Sequence, residues 1–156
     1  FLKSYKDTGI ITEEDIVEAI PKTLQDNIFD LTQLILRNKI DQARELVKDL
    51  TLQGEDEIKL IAIMLGQFRL YTQVKILQES GQTESQMVSS LVHYLGRNPN
   101  PYQIKFALRD TRGLSLNFLQ DSIRYLIQAD YQIKTGVYEK GYLFEKALLQ
   151  IASQSN

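Results

Sequence analysis

One histidine and two serines stand close together in the segment SSLVHYLG, a combination of residue types that could support nucleophilic catalysis. Ser89 and Ser90 precede His93 by four and three residues, so the three are neighbours on any helix, whatever their function. A histidine near a helix end also interacts favourably with the negative end of the helix dipole. We therefore interpret this group as structural rather than catalytic.

Adjacent acidic residues could act as general acid and general base, but in this chain they stand where helices are predicted to begin. Glu13 and Glu14 follow Thr12, and Asp56 and Glu57 open the longest helical pattern. Carboxylates in a first helical turn stabilise the positive end of the dipole, which accounts for both pairs. Cysteine is absent and histidine occurs once, which excludes thiolate and multi-histidine metal sites, and the isolated glycines do not form a phosphate-binding loop. We expect no catalytic group, cofactor or metal in this chain.

Three basic residues, Lys105, Arg109 and Arg112, are spaced so that they share one side of a helix, and with Tyr102 they could contact phosphate groups. The alternative is a solvated helix face whose last-turn cations interact with the dipole. The net charge of −2 favours this alternative, because nucleic-acid-binding domains usually carry a basic excess. The three residues are retained as candidate phosphate contacts.

Two further pairs of polar residues stand four apart on predicted helices. Arg69 and Gln73 lie four apart in the middle of the longest predicted helix, where an arginine either extends its head group to solvent or pairs across an interface. Asp130 and Lys134, in QADYQIKTG, form an acid-to-base pair worth about 0.3–0.5 kcal/mol on an exposed helix. Lys134 would also stand in the last turn of that helix, where a cation stabilises the negative end of the dipole, and Gly136 can close the helix with a positive φ. The pair therefore has a sufficient local role.

Apolar residues recur at helical spacing along the whole chain and strand signals are nearly absent, which predicts an all-α fold of about seven to eight helices. The first predicted helix begins after Thr12 and stops at Pro21, and the next begins at Asp26 or Asn27. The longest is predicted from about Asp56 to Ser80. Its first half is apolar nearly all round, which is typical of a helix covered on several sides.

Individual glycines and caps refine this prediction. Gly66 lies inside the longest helix at a cost of about 1 kcal/mol relative to alanine, which either the close approach of another helix or a tolerated surface position would explain. Ser115 is the predicted N-cap of a later helix, and Gly54 and Gly136 are predicted left-handed helix ends. The longest apolar run, near Ile61 to Leu65, is far shorter than the roughly 20 residues that a membrane span requires.

The length of 156 residues suits one domain, or one domain plus a fragment. Because the first residue is Phe1 rather than methionine, we expect the chain to be a piece of a longer protein.

The order of several segments is similar to that in one protein family. These segments are EEDIVEAI, NIFDLTQLIL, ARELVKDLTLQGED, IKLIAIMLGQFRLYTQVK and ADYQIKTG. Together they resemble the C-terminal part of the delta subunit of bacterial DNA polymerase III, a component of the clamp loader, and the resemblance covers essentially the whole chain.

The resemblance implies a domain organisation. In this family an N-terminal AAA+-like domain binds and opens the sliding clamp, a small helical lid domain follows, and a C-terminal helical domain joins sister subunits in a collar. Residues 1–24 would then be the tail of the AAA+ lid domain, and residues 25–156 the helical collar domain that mediates oligomerisation.

The resemblance also implies partners. The expected ones are the delta-prime and tau/gamma subunits, with the sliding clamp contacted by a domain outside this chain, DNA contacted only indirectly, and no membrane. ATP would be handled by tau/gamma, so this chain would be a non-catalytic part of a DNA-directed DNA polymerase holoenzyme, located in the bacterial cytoplasm at the nucleoid-associated replisome. Arg69, Gln73, Asp130 and Lys134 would be candidate subunit contacts. Two alternatives stay open, a generic helical adaptor or scaffold domain and a small helical nucleic-acid-binding domain that uses Lys105 to Arg112.

Overall fold

The computed structural model describes residues 23–95 and 101–154, and the side chains of residues 23–93 and 104–154. Over these ranges the chain forms seven α-helices and no strand, which confirms the all-α prediction. The helices are α1 (Leu24–Leu36), α2 (Ile40–Leu52), α3 (Glu57–Glu79), α4 (Glu84–Leu95), α5 (Pro101–Thr111), α6 (Leu116–Lys134) and α7 (Lys140–Gln154). The helix predicted after Thr12, and nearly all of the predicted lid-domain tail over residues 1–24, lie outside the described residues.

The beginning of α1 differs from the prediction. Thr23 is the N-cap, since its hydroxyl accepts a 3.1 Å hydrogen bond from the backbone N–H of Asp26. The Asp26 carboxylate in turn accepts a 3.3 Å hydrogen bond from the backbone N–H of Thr23, which completes a capping box. The predicted start at Asp26 or Asn27 is therefore wrong, because Asp26 stands in the first turn as the partner of the cap.

The long helix α3 is the centre of the fold, as predicted. It contacts α1, α4, α5, α6 and α7, while α2 packs on α1 and α7. The length and composition of α3 would also allow it to cross a membrane. The core helix of a globular domain meets the same two criteria. Here α3 buries one side against its neighbours, through residues Leu60, Ile61, Met64, Leu65, Phe68, Tyr71, Thr72 and Val74. Burial of each large apolar side chain among them contributes about 1.5–3 kcal/mol.

The ends of α3 match the prediction and connect it to α7. Asp56 is the N-cap of α3, and its carboxylate accepts a 2.8 Å hydrogen bond from the backbone N–H of Ile58. The other carboxylate oxygen of Asp56 lies 2.8 Å from the ammonium of Lys140 at the start of α7. The hydrogen bond from Lys140, and then that from Ile58, hold the pKa of Asp56 below its ordinary value. Asp56 is thus the N-cap of α3 and Glu57 stands in its first turn, so both carboxylates lie at the positive end of the helix dipole.

Gly136 ends α6 in the predicted left-handed conformation, with a φ of 72°. The N–H of Gly136 donates to the carbonyl of Ile133 at 3.1 Å, and the N–H of Val137 donates to the carbonyl of Gln132 at 3.0 Å. This pair of hydrogen bonds is a Schellman motif, which satisfies carbonyls that the end of a helix leaves free. The turn directs the chain from α6 into α7, which packs back on α6.

Candidate functional site

One side of α3 is not covered by any helix in the described part of the chain, and we call it the open face of α3. Its members are spaced by three or four residues and are exposed or partly exposed; they are Ala62, Gly66, Arg69, Gln73 and Ile76. Arg69 and Gln73 form no hydrogen bond or ion pair with any described residue. Within the described part of the chain, both residues are therefore left without a partner on the most central helix of the domain, and a subunit contact by them stays a prediction.

Gly66 lies in the middle of the open face. A Cβ atom built on this residue would meet, within 4 Å, no described atom other than those of its chain neighbours and of the adjacent backbone of α3. No other helix approaches Gly66 closely within the described residues, which was one of the two explanations offered from the sequence. In this part of the chain Gly66 is therefore a surface glycine, the other explanation. The small side chains of Ala62 and Gly66 leave room for a partner to approach the backbone of α3 closely.

Asp130 and Lys134 form the predicted ion pair within α6, with 2.9 Å between the carboxylate oxygen and the ammonium. The carboxylate side chain is 25% exposed and the lysine side chain 57% exposed, so the pair remains at the surface. Since each charge already has a partner, this pair offers less to another subunit than Arg69 does. A contact of Asp130 and Lys134 with another subunit stays a prediction.

Next to this ion pair, the corner between α6 and α7 carries exposed tyrosines that the sequence analysis did not single out. Tyr131 and Tyr138 are each 67% exposed and Tyr142 is 54% exposed. The rings of Tyr138 and Tyr142 contact each other, with 5.7 Å between their centroids. A signal was present in the sequence, because Tyr138 and Tyr142 lie four residues apart directly after the predicted helix end at Gly136.

Two of the predicted phosphate contacts, Lys105 and Arg109, lie on α5, and Arg112 lies in the turn just after it. The structure gives Arg109 a partner. The carboxylate of Asp110 is only 4% exposed, and it accepts hydrogen bonds from Gln33 on α1 and from the Tyr71 hydroxyl on α3, the latter at 3.0 Å. The Arg109 guanidinium lies 3.2 Å from the other oxygen of the same carboxylate. Burial, and then the nearby Asp110 charge, raise the pKa of the Tyr71 phenol well above its ordinary value. Asp110 thus joins α5 to the core and holds Arg109 in place.

The outer side of α5 combines cations with an aromatic ring. We call Lys105, Phe106 and Arg109, together with Arg112 in the turn that follows the helix, the basic face of α5. The Arg109 guanidinium lies over the Phe106 ring, 4.8 Å from its centroid. Phe29 of α1 packs against the same ring with 5.2 Å between centroids. Lys105 and Arg112 are exposed and pair with no described residue. Lys105 and Arg109 therefore share one side of α5, with Arg112 in the turn after it, and a phosphate contact by these residues stays a prediction.

The serine and histidine group behaves as structural. The Ser89 hydroxyl donates to the backbone carbonyl of Ser85 at 3.2 Å, and the Ser90 hydroxyl donates to the side-chain carbonyl of Gln82 at 3.1 Å. Neither serine is hydrogen-bonded to His93, which is exposed. Ser89 and Ser90 are thus oriented by neighbouring groups other than a catalytic base.

Comparison with known proteins identifies the family of this fold. Residues 25–151 match the family model described as "DNA polymerase III delta subunit, C-terminal domain". The chain belongs to this family. It is also 34% identical over 146 residues to the DNA polymerase III subunit delta of Bacillus subtilis (strain 168), an alignment that covers 93% of this chain and 40% of that protein. The resemblance seen in the order of the sequence segments is thereby confirmed.

A solved structure supports membership of the delta family. The fold matches the Bacillus subtilis DNA clamp loader delta protein (YqeN) with a TM-score of 0.77 and 31% sequence identity, over 90% of this chain and 40% of that protein. The chain thus spans about 40% of the length of these delta relatives. The matched region begins at residue 25, one residue after α1 begins.

Proposed function

We propose that this chain is the assembly domain of a clamp-loader delta subunit. It docks delta beside the delta-prime and tau/gamma subunits, so that a domain outside this chain can open the sliding clamp for loading onto DNA during replication. In this role the chain needs a rigid helical body and exposed contact surfaces, and no catalytic group. We place it with the replisome in the bacterial cytoplasm, as a non-catalytic part of the DNA polymerase III holoenzyme.

The observation that carries the proposal is the open face of α3 on a domain of the delta C-terminal family. A helix that contacts five others, yet has one side that no described residue covers, is well suited to receive a further helix from a sister subunit. Arg69, which has no partner among the described residues, would take a carboxylate from that subunit, and Gln73 would take a backbone or amide group. Ile76, which is 41% exposed, would add apolar contact. A stable contact of this kind buries on the order of 1,000 Å² or more.

Gel filtration of the chain with purified delta-prime and tau/gamma subunits tests the proposal. We expect a species larger than any component alone. Separate elution of all components would contradict the assembly role and favour a generic helical adaptor with other partners.

A charge reversal tests the open face of α3 within the same experiment. Arg69→Glu would repel the proposed carboxylate and is expected to weaken assembly at least tenfold, about 1.4 kcal/mol. Lys48→Glu is the matched control, because Lys48 is exposed on α2, pairs with no described residue and changes the net charge equally. If Arg69→Glu assembled as well as Lys48→Glu, the docking surface would lie elsewhere on the domain.

A further inference from the structure

The basic face of α5 has features that subunit docking through α3 does not use. Lys105 and Arg109 lie four residues apart on α5, about 6 Å along the helix axis, and Arg112 follows in the turn directly after the helix end. All three side chains are exposed. Their positive charges therefore form a short row that a chain of regularly spaced anions could follow.

An aromatic ring lies beside this row. Phe106 is 38% exposed even though Phe29 and the Arg109 guanidinium both contact it. Proteins that bind single-stranded nucleic acid place aromatic rings and arginine planes next to cations, because bases stack on the flat groups while the cations contact phosphates. Phe106 and Arg109 together provide such a flat surface.

The local balance of charge favours an anionic ligand. Asp110, the acidic residue within α5, keeps its carboxylate 4% exposed and directed toward Tyr71 and Gln33. The Asp110 carboxylate thereby fixes the guanidinium of Arg109, whose side chain is 54% exposed. Because this carboxylate is buried, it presents little negative charge to solvent. Lys105 and Arg112 have no partner among the described residues, so a ligand would not have to displace an existing ion pair from them.

We propose that the basic face of α5 binds single-stranded DNA. Lys105 and Arg112 contact phosphates, and a base stacks on the surface formed by Phe106 and Arg109. An acidic protein segment would satisfy the cations equally well, but it would leave the exposed ring unused, and the family of this chain is one of DNA polymerase subunits. Because the chain carries a net charge of −2, we expect weak binding, with Kd values of about 10⁻⁴ to 10⁻⁶ M at physiological salt and tighter binding at low salt.

Fluorescence anisotropy with a labelled thymidine oligonucleotide of about 20 residues tests the phosphate contacts. The double variant Lys105→Gln with Arg112→Gln should bind at least tenfold more weakly. Since each lost phosphate contact reduces the salt slope for a single strand by about 0.7, the slope of log K against log salt should become shallower by about 1.4. The matched control is Lys48→Gln with Lys146→Gln, two exposed cations outside α5 whose loss changes the net charge equally.

Phe106→Leu tests the stacking step separately. Leucine retains an apolar contact for Phe29 but removes the aromatic face, so binding should weaken about tenfold with an unchanged salt slope. Thermal unfolding by circular dichroism establishes that each variant is folded before its binding is compared.

Three results would overturn the proposal. One is the absence of any anisotropy change for the unmodified chain at low salt. Another is equal binding by the Lys105 and Arg112 double variant and its control. The third is competition by poly-glutamate as effective as that by unlabelled oligonucleotide, with Phe106→Leu unaffected, which would assign the face to an acidic protein partner.

Discussion

Tyr71 of α3 and Asp110 of α5 are joined by a 3.0 Å hydrogen bond in which the phenol hydroxyl donates to a carboxylate that is only 4% exposed. Gln33 of α1 donates to the same carboxylate oxygen. A buried carboxylate is costly unless its oxygens are hydrogen-bonded or paired, and here three helices supply those partners. This network fixes α5, and with it the basic face, to the core of the domain.

Tyr71→Phe should destabilise the chain by about 1–2 kcal/mol, because it removes one hydrogen bond to a charged, buried acceptor while leaving the ring packing intact. Urea denaturation followed by circular dichroism measures the change. Tyr131→Phe is the control, since the Tyr131 side chain is 67% exposed and should change stability by less than about 0.5 kcal/mol. Equal losses for the two variants would show that the hydrogen bond to Asp110 adds no stability.

Asp110→Ala should be more damaging than Tyr71→Phe, at about 2–3 kcal/mol, because it leaves both the Tyr71 hydroxyl and the Gln33 amide without their acceptor. In the double variant with Tyr71→Phe, part of this cost should disappear, since the phenol no longer needs a partner. A double-mutant cycle of urea midpoints measures that coupling. Strictly additive effects would contradict a direct interaction between the two residues.

Above pH 10, the free energy of unfolding should fall more steeply for the unmodified chain than for the variant Tyr71→Phe. Tyrosine in the unfolded chain loses its proton near its ordinary pKa of 10.0, whereas burial and Asp110 raise the pKa of Tyr71 in the folded state. The stabilisation is therefore complete below pH 10 and is lost as the pH rises above it, because the unfolded state then binds fewer protons. The limiting slope for one such group is about 1.4 kcal/mol per pH unit.

Urea midpoints from about pH 9 to about pH 11 should consequently separate the unmodified chain from Tyr71→Phe. The variant lacks the titrating phenol, while all lysines and the other tyrosines are common to both proteins. If the two curves ran parallel across this range, the phenol of Tyr71 would titrate alike in the folded and unfolded chains.

Features governed by local physical chemistry could be predicted from the sequence. Asp56 and Ser80 bound α3, Ser115 caps α6 and Gly136 closes it, because capping and left-handed φ depend on a few adjacent residues. The start of α1 was missed for a related reason. Thr23 and Asp26 are both favourable cap residues, and only their reciprocal hydrogen bonds identify Thr23 as the cap.

The surroundings of the candidate sites depend on contacts between distant parts of the chain, and they could not be predicted. Spacing alone placed Arg109 in a row of free cations. In the structure Arg109 pairs with the adjacent Asp110. The Asp110 carboxylate is held in place by hydrogen bonds from Tyr71 and Gln33, which lie 39 and 77 residues away in sequence. The exposure of Arg69 is likewise a tertiary property, since the same pattern on α3 would suit a fully covered helix.

The central position of α3 predicts opposite outcomes for adjacent substitutions. Ile61→Asp would place an unpaired charge at a side chain with 0% exposure and should unfold the domain. Ala62→Asp introduces the same charge one residue later on the open face, and should change stability by less than about 1 kcal/mol. Circular dichroism melting distinguishes the two. A cooperative transition for Ile61→Asp at the temperature of the unmodified chain would contradict the orientation of α3.

Substitutions at two glycines should likewise change the stability of the chain in opposite directions. Gly136 has a φ of 72°, a conformation that is costly for a β-branched residue, so Gly136→Val should destabilise the chain by about 1–2 kcal/mol. Gly66 is helical and has open space where a Cβ atom would lie, so Gly66→Ala should stabilise the chain by about 0.5–1 kcal/mol.

Urea midpoints of the two variants measure these opposite shifts. Gly66→Ala also bears on the assembly proposal, because the added methyl group stands on the open face of α3. A more stable chain that assembles less well with its partner subunits would mean that a neighbouring helix approaches Gly66 closely in the loader. Destabilisation by Gly66→Ala in the isolated chain would instead mean that residues of the domain itself occupy this space.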